Sequence, residues 1–302
     1  MSTDPELPGP ELPGPDLPGP LVSTQWLADH LGADRLVVLD ASVVGYTQPN
    51  GRAAFLSGHE QYLLEGHIPD AAFADLIDEL SDPDGRYPFT RPDGQRFAAA
   101  AGALGVADGV TVVIYDSAVG QWAARVWWLF RAFGYDRVAV LDGGLARWRA
   151  EERELQLGHV EPVPARFTAA ERPDLWADKT FIEGVLRGEQ SAALVCATPP
   201  AEFTGEVVTR SRGGHIPGSS SAPAGRLVDR DRGTYLAPEQ LRGILQPALG
   251  APRIVTYCNG GIAAASAALA LTLLGERSVA VYDESLNEWA ADPEAELVTL
   301  AG

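Results

Sequence analysis

One ordered pattern occurs twice in this chain. The first copy reads LVVLDAS (36–42), GHIPDA (66–71), VTVVIYDSAVGQWAARVWWLF (110–130) and VAVLDGGLARW (138–148). The second reads ALVCATP (193–199), GHIPGS (214–219), RIVTYCNGGIAAASAALALTLL (253–274) and VAVYDESLNEW (279–289). From Asp116 to Trp148 is 32 positions, and from Cys258 to Trp289 is 31. Four matches in the same order and nearly the same register argue for duplication of one folding unit.

Each unit alternates short β-branched runs with helical stretches. Val110–Tyr115 and Ile254–Tyr257 are nearly continuous apolar runs, as expected of strands buried on both faces. Gln121–Phe133 and Ala263–Leu274 are long enough for helices, with Gly134 and Gly275 placed as C-caps. Val138–Leu141 and Val279–Tyr282 read as the strands that follow. Strand–helix–strand units of this kind imply an α/β fold with mainly parallel sheets covered by helices. The expected organisation is a first domain over 21–150, a proline-containing connector over 151–175 and a second domain over 176–302. Residues 1–20 repeat ELPGP-like units and read as a disordered tail, because proline and glycine oppose regular structure.

A chain of 302 residues with 46% hydrophobic and 21% charged residues can bury a core without disulfides. It has two cysteines, too few for a cross-linked framework, which fits a reducing cytoplasm. The net charge of −18 argues against nucleic-acid and anionic-membrane partners. No signal peptide is visible, and Val110–Ile114 and Leu269–Leu274 are too short to span a bilayer. An acidic surface repels anions at long range, so an anion site here must be local. Lys179 is the single lysine, which leaves the positive charge to arginine.

Cys258 stands at the carboxyl end of a strand, where parallel sheets bind ligands. Asn259, Gly260 and Gly261 follow, then a helix beginning near Ile262 and Ala263. Glycines permit a tight loop whose N–H groups converge, and the helix adds its free N–H groups and dipole. Such an anion cradle stabilises a thiolate. The sequence thus describes an activated nucleophile. The competing reading is a small buried hydrophobe. No ligand cluster asks for a metal.

These paired motifs, with the CNGGIA loop, resemble the tandem-domain rhodanese-like sulfurtransferases over about residues 21–300. The resemblance implies two tandem rhodanese-like domains, each a mainly parallel sheet flanked by helices. It implies a catalytic second domain and an inactive first one, with Asp116 at the cysteine position. The implied chemistry moves a sulfane sulfur from thiosulfate or 3-mercaptopyruvate through a Cys258 persulfide to cyanide or a thiol, a thiol-bearing protein included. No cofactor is implied. The alternative is a non-enzymatic persulfide carrier or binding module with low turnover.

The chain departs from that family at points that bear on the donor. Thr198 stands where relatives carry an arginine, and the uncharged loop after Cys258 matches neither the basic thiosulfate type nor the 3-mercaptopyruvate type, though it lies nearer the second. Arg210 and Arg212 are the candidate replacement cations, and Arg125 follows the loop of the first domain. Asp40 is a candidate for orienting loops at the interface or capping a helix, and Ser285 is retained in the closing segment. Each copy has one histidine before its Ile-Pro, His67 and His215, and both read as turn-ordering residues. Cys196 reads as a buried structural thiol, with a resolving cysteine as the alternative. A phosphatase would need an arginine six positions after the cysteine, where Ala264 stands.

Overall fold

The computed structural model describes residues 13–49 and 53–300. Two five-stranded sheets, all parallel, form its frame. The first runs in the order Leu21–Val22, Val138–Leu141, Thr111–Tyr115, Leu36–Asp40, Ala72–Phe73. The second runs in the order Trp176–Ala177, Val279–Tyr282, Ile254–Tyr257, Ala193–Cys196, Ser220–Ser221. The order is the same in chain terms, so the sequence repeat is a repeat of topology. In each sheet the central strand leads into the longest helix, Gln121–Ala132 in the first and Ile262–Leu273 in the second.

Those two helices pack against each other across the domain boundary. Their composition explains the close approach. Ile262–Leu273 is half alanine and apolar on nearly every face, as a helix surrounded by protein must be. Trp127, Trp128 and Phe130 on the facing helix are all fully buried. One apolar cluster runs through both domains, from Val112 and Ile114 to Ile254 and Val281.

The boundary is also tied by a reciprocal exchange. Asp142, just after the last strand of the first sheet, accepts from the Tyr235 N–H of the second domain at 2.8 Å. Asp283, at the matching place in the second sheet, accepts from the Arg91 N–H of the first domain at 2.8 Å. The strand ends of both sheets therefore face one cleft.

One segment departs from the sequence-based expectations and two add to them. Residues 1–12 of the proline–glycine tail lie outside the described residues, but 13–20 are docked rather than disordered. The Gly14 N–H donates to the Gly109 carbonyl at 2.9 Å, and the Gly14 carbonyl accepts from Arg137 Nη2 at 2.6 Å. A proline–glycine segment cannot bond to itself, but its carbonyls accept bonds from a neighbouring surface. The connector near 151–175 is also packed: Phe167 is buried, and Gln156 forms a β-bridge with His67. Finally, an antiparallel hairpin, Val43–Thr47 with Ala53–Ser57, extends from the first domain.

Candidate active site

Cys258 begins the loop between strand Ile254–Tyr257 and helix Ile262–Leu273. It is 4% exposed, at the floor of a cavity of about 540 Å³. Its backbone is fixed on both sides. The Cys258 N–H donates to Ser285 Oγ at 3.1 Å, and that hydroxyl donates to the Tyr282 carbonyl at 2.6 Å. The Cys258 carbonyl accepts from the Leu286 N–H at 3.0 Å, and the Asn259 carbonyl accepts from the Asn287 N–H at 2.9 Å. Gly261 takes a left-handed conformation, φ +80°, at the helix start. A side chain there would lie 2.8 Å from the Asp283 carbonyl and 2.9 Å from Arg125 Nη1. Among the described residues, the N–H groups of Asn259, Gly260, Gly261, Ile262 and Ala263 have no hydrogen-bond acceptor. Five free donors in the residues directly after the cysteine suit a negative charge.

The first domain shows what this loop shape does with an anion. Asp116 occupies the place of Cys258, and the Leu145 N–H bonds its carbonyl at 3.0 Å as Leu286 does for Cys258. The side chain of Asp116 turns into its own cradle. One oxygen accepts from the N–H groups of Ala118 at 2.8 Å and Gly120 at 3.0 Å. The other accepts from Trp122 at 2.9 Å and Ala123 at 3.0 Å. Burial pushes this carboxyl up from its ordinary range, and the four N–H bonds offset that only in part. The first cradle is therefore filled by the chain itself, while the second is left open to the cavity.

Both domains build the cavity walls. The first contributes Phe55 from the hairpin, Phe89 from the 82–92 loop and Trp122 from the helix start, with ring centroids 5.3–5.4 Å apart. The second contributes Thr198, Glu202, Arg210 and Asn259. Glu202 Oε2 accepts from Arg210 Nη2 at 2.8 Å, Thr209 Oγ1 at 2.9 Å and Asn259 Nδ2 at 3.0 Å.

Of the residues singled out from sequence, Cys258, Asn259, Gly260, Ile262, Ala263 and Arg210 line this cavity, and Gly261 supports it from behind. Four others do not line it. Arg212 is committed to the carbonyls of Trp289, Ala290, Asp292 and Ala295 and holds the C-terminal segment. Arg125 is buried behind the loop, paired with Asp283 at 2.6 Å and donating to the Phe89 carbonyl at 2.8 Å. Asp40 is buried in the first domain, where it accepts from the Ser42 N–H at 2.9 Å, and burial pushes its carboxyl up. Ser285 is spent on the Cys258 backbone. Arginine and carboxylate side chains buried this deeply need fixed partners, and these found them away from the cleft.

His67 and His215 are buried against carbonyls and stack on Tyr62 and Phe203, with centroids 3.9 and 3.7 Å apart. Cys196 is fully buried in a separate cluster from Cys258, with Sγ 3.2 Å from Thr198 Oγ1, and burial pushes its thiol up. Sequence reasoning missed Glu202, Asp283 and the aromatic wall. Glu202 is one of 41 acidic residues and carries no local signal, and Phe55 lies in a hairpin between the LVVLDAS and GHIPDA motifs of the first copy and belongs to neither.

Among the described residues, no group of histidine, cysteine, aspartate or glutamate is arranged to hold a metal ion, and no helix is long and apolar enough to cross a membrane. The rhodanese-like domain model matches residues 23–151 and again 186–292. The chain is 37% identical over 281 residues to human 3-mercaptopyruvate sulfurtransferase, covering 89% of this chain and 91% of that one. It is 37% identical over 291 residues to the thiosulfate sulfurtransferase of Cricetulus griseus, covering 91% and 93%. The crystal structure of SseA from Escherichia coli, a 3-mercaptopyruvate sulfotransferase, superposes with a TM-score of 0.77 at 31% identity, over 88% of this chain and 98% of that one. With both sheets, both loops and both matches in register, the chain belongs to the rhodanese-like family as a tandem-domain sulfurtransferase.

Proposed function

We propose that Cys258 is the sulfur-carrying nucleophile and that 3-mercaptopyruvate is preferred to thiosulfate as donor. The carrying observation is a cysteine lining the cavity, followed directly by five backbone N–H groups that have no acceptor among the described residues. In the first half-reaction the Cys258 thiolate attacks the donor sulfur. With 3-mercaptopyruvate the carbon–sulfur bond breaks, and the pyruvate enolate leaves with the electron pair and takes a proton from solvent. With thiosulfate the sulfur–sulfur bond breaks and sulfite leaves. Either route gives a Cys258 persulfide, whose charge falls on the terminal sulfur where the free amides can hold it. In the second half-reaction a thiol, a protein thiol or cyanide attacks that sulfur, and the thiolate returns.

The donor preference rests on charge. Arg210 is the one arginine or lysine among the described lining residues, and Glu202 already pairs with it. A monoanion suits such a site better than a dianion. Two free cysteines support a reducing cytoplasmic setting.

Wild-type protein incubated with either donor should gain about 32 Da, the mass of one sulfur atom, on Cys258, and should transfer it to cyanide with saturable kinetics. Cys258→Ser should retain the fold and lose both signals by at least about a thousandfold in rate, the scale on which loss of a nucleophile is felt. Stoichiometric loading without turnover would mark a carrier instead of an enzyme. Transfer retained by the serine variant would overturn the assignment.

A further inference from the structure

We infer that Glu202 is a donor-specificity residue: its carboxylate competes with the donor's anionic group for Arg210 and selects against doubly charged donors. This rests on the reading of Cys258 as the sulfur carrier. Arg210 and Glu202 lie in the cavity wall with side chains 8% and 12% exposed, so solvent screens the pair only in part. The other arginines near the loop are spoken for, since Arg212 holds four carbonyls and Arg125 pairs with Asp283.

Arg210 is thus the cation an anionic donor can reach, and Glu202 meets it first, at 2.8 Å. The same Glu202 oxygen also draws the Asn259 side-chain amide, at 3.0 Å, on the residue next to the nucleophile. Among the described residues, Arg210 makes no second hydrogen bond, so its remaining N–H groups are available to a ligand. Asn259 Oδ1 is buried and has no partner. Whether a donor displaces Glu202 or binds beside it, its negative charge meets the glutamate's. Coulomb energy scales with the donor's charge, so the penalty factor for a dianion is the square of that for a monoanion.

Glu202→Gln keeps the shape and removes the charge. The KM for 3-mercaptopyruvate should fall about tenfold and that for thiosulfate about a hundredfold, following that square. The KM for dithiothreitol, an uncharged acceptor, should stay within about twofold because no charge is involved. A readout free of turnover separates this inference from the sulfurtransferase chemistry. Pyruvate and sulfate, a monoanion and a dianion, should protect Cys258 from iodoacetamide at correspondingly lower concentrations in the variant. If the wild type forms no persulfide, the assignment of Cys258 fails while the protection assay still reports on Glu202. Should Glu202→Gln not fold, Glu202→Ala removes the same charge. An unchanged or raised KM for both anionic donors, with unchanged protection, would mean that Glu202 merely props Arg210 and would overturn the inference. An equal drop for dithiothreitol would show a general opening of the cleft and overturn it as well.

Discussion

At the scale of single residues, the two copies differ most at one position. Cys258 and Asp116 occupy equivalent strand ends, yet one cradle is open and the other is closed by its own carboxylate. Asp116→Ala would leave four N–H groups, two of them buried, without their acceptor. Allowing for water entry, that should cost about 3 kcal/mol in urea unfolding, while sulfur transfer at Cys258 stays near wild type. Glu151 supports a pH prediction. Its partial burial pushes the carboxyl up, but bonds from Arg153, Thr24 and Arg147 outweigh this and bring it to about 2. An unfolded glutamate titrates near ~4.3. The depressed folded value means that Glu151 stabilises the protein above that pH, and the contribution fades as the pH falls toward 2. The difference in urea midpoint between wild type and Glu151→Gln should shrink over that window. The sequence identified Asp116 as the stand-in for a cysteine, because the repeat aligns them. That its carboxylate fills the cradle was not legible, since the side-chain rotamer and the aim of four amides are three-dimensional facts.

At the scale of elements, the strand–loop–helix unit was readable from residue order, and its reason is visible in Gly261. The helix start demands a left-handed residue, and Asp283 and Arg125 crowd the space where a side chain would go. Gly261→Ala should therefore cost about 2 kcal/mol or more, combining the left-handed penalty with the clash. It should also lower sulfur transfer at least about tenfold by turning the amides away from the sulfur. Gly260→Ala makes a useful contrast. Its added carbon would meet the Asn287 side-chain amide at 2.9 Å, a flexible tip that can move, so its effect on thermal midpoint should be smaller. The hairpin over 43–57 was not legible. Much of its apolar surface, Tyr46, Phe55 and Leu56, is exposed, so no clean alternation of buried and solvated residues marks it. Yet it delivers Phe55 to the cleft.

At the scale of the whole molecule, duplication lets each domain brace the other. Each sheet ends in an aspartate that grips a loop of the other domain, Asp142 on Tyr235 and Asp283 on Arg91. The symmetry breaks on the active side. Arg125, five residues after Gly120, forms a buried ion pair with Asp283, whereas Ser266 stands five residues after Gly261. That arginine donates to the carbonyl of Phe89, which sits at φ +64°, a conformation a bulky residue keeps only when held. Arg125 thus links three things: the first domain's helix, the aromatic wall and the aspartate behind Gly261. Arg125→Met would leave Asp283 as a buried carboxylate short of its cation and should cost about 3–5 kcal/mol. Pairing it with Asp283→Leu removes both charges and should restore much of that stability. Activity should not return with it, because the double variant lacks the bond that holds Phe89 and the acceptor that holds the Arg91 N–H. Urea unfolding followed together with sulfur transfer separates the two effects, and full recovery of both would show that the pair serves stability alone.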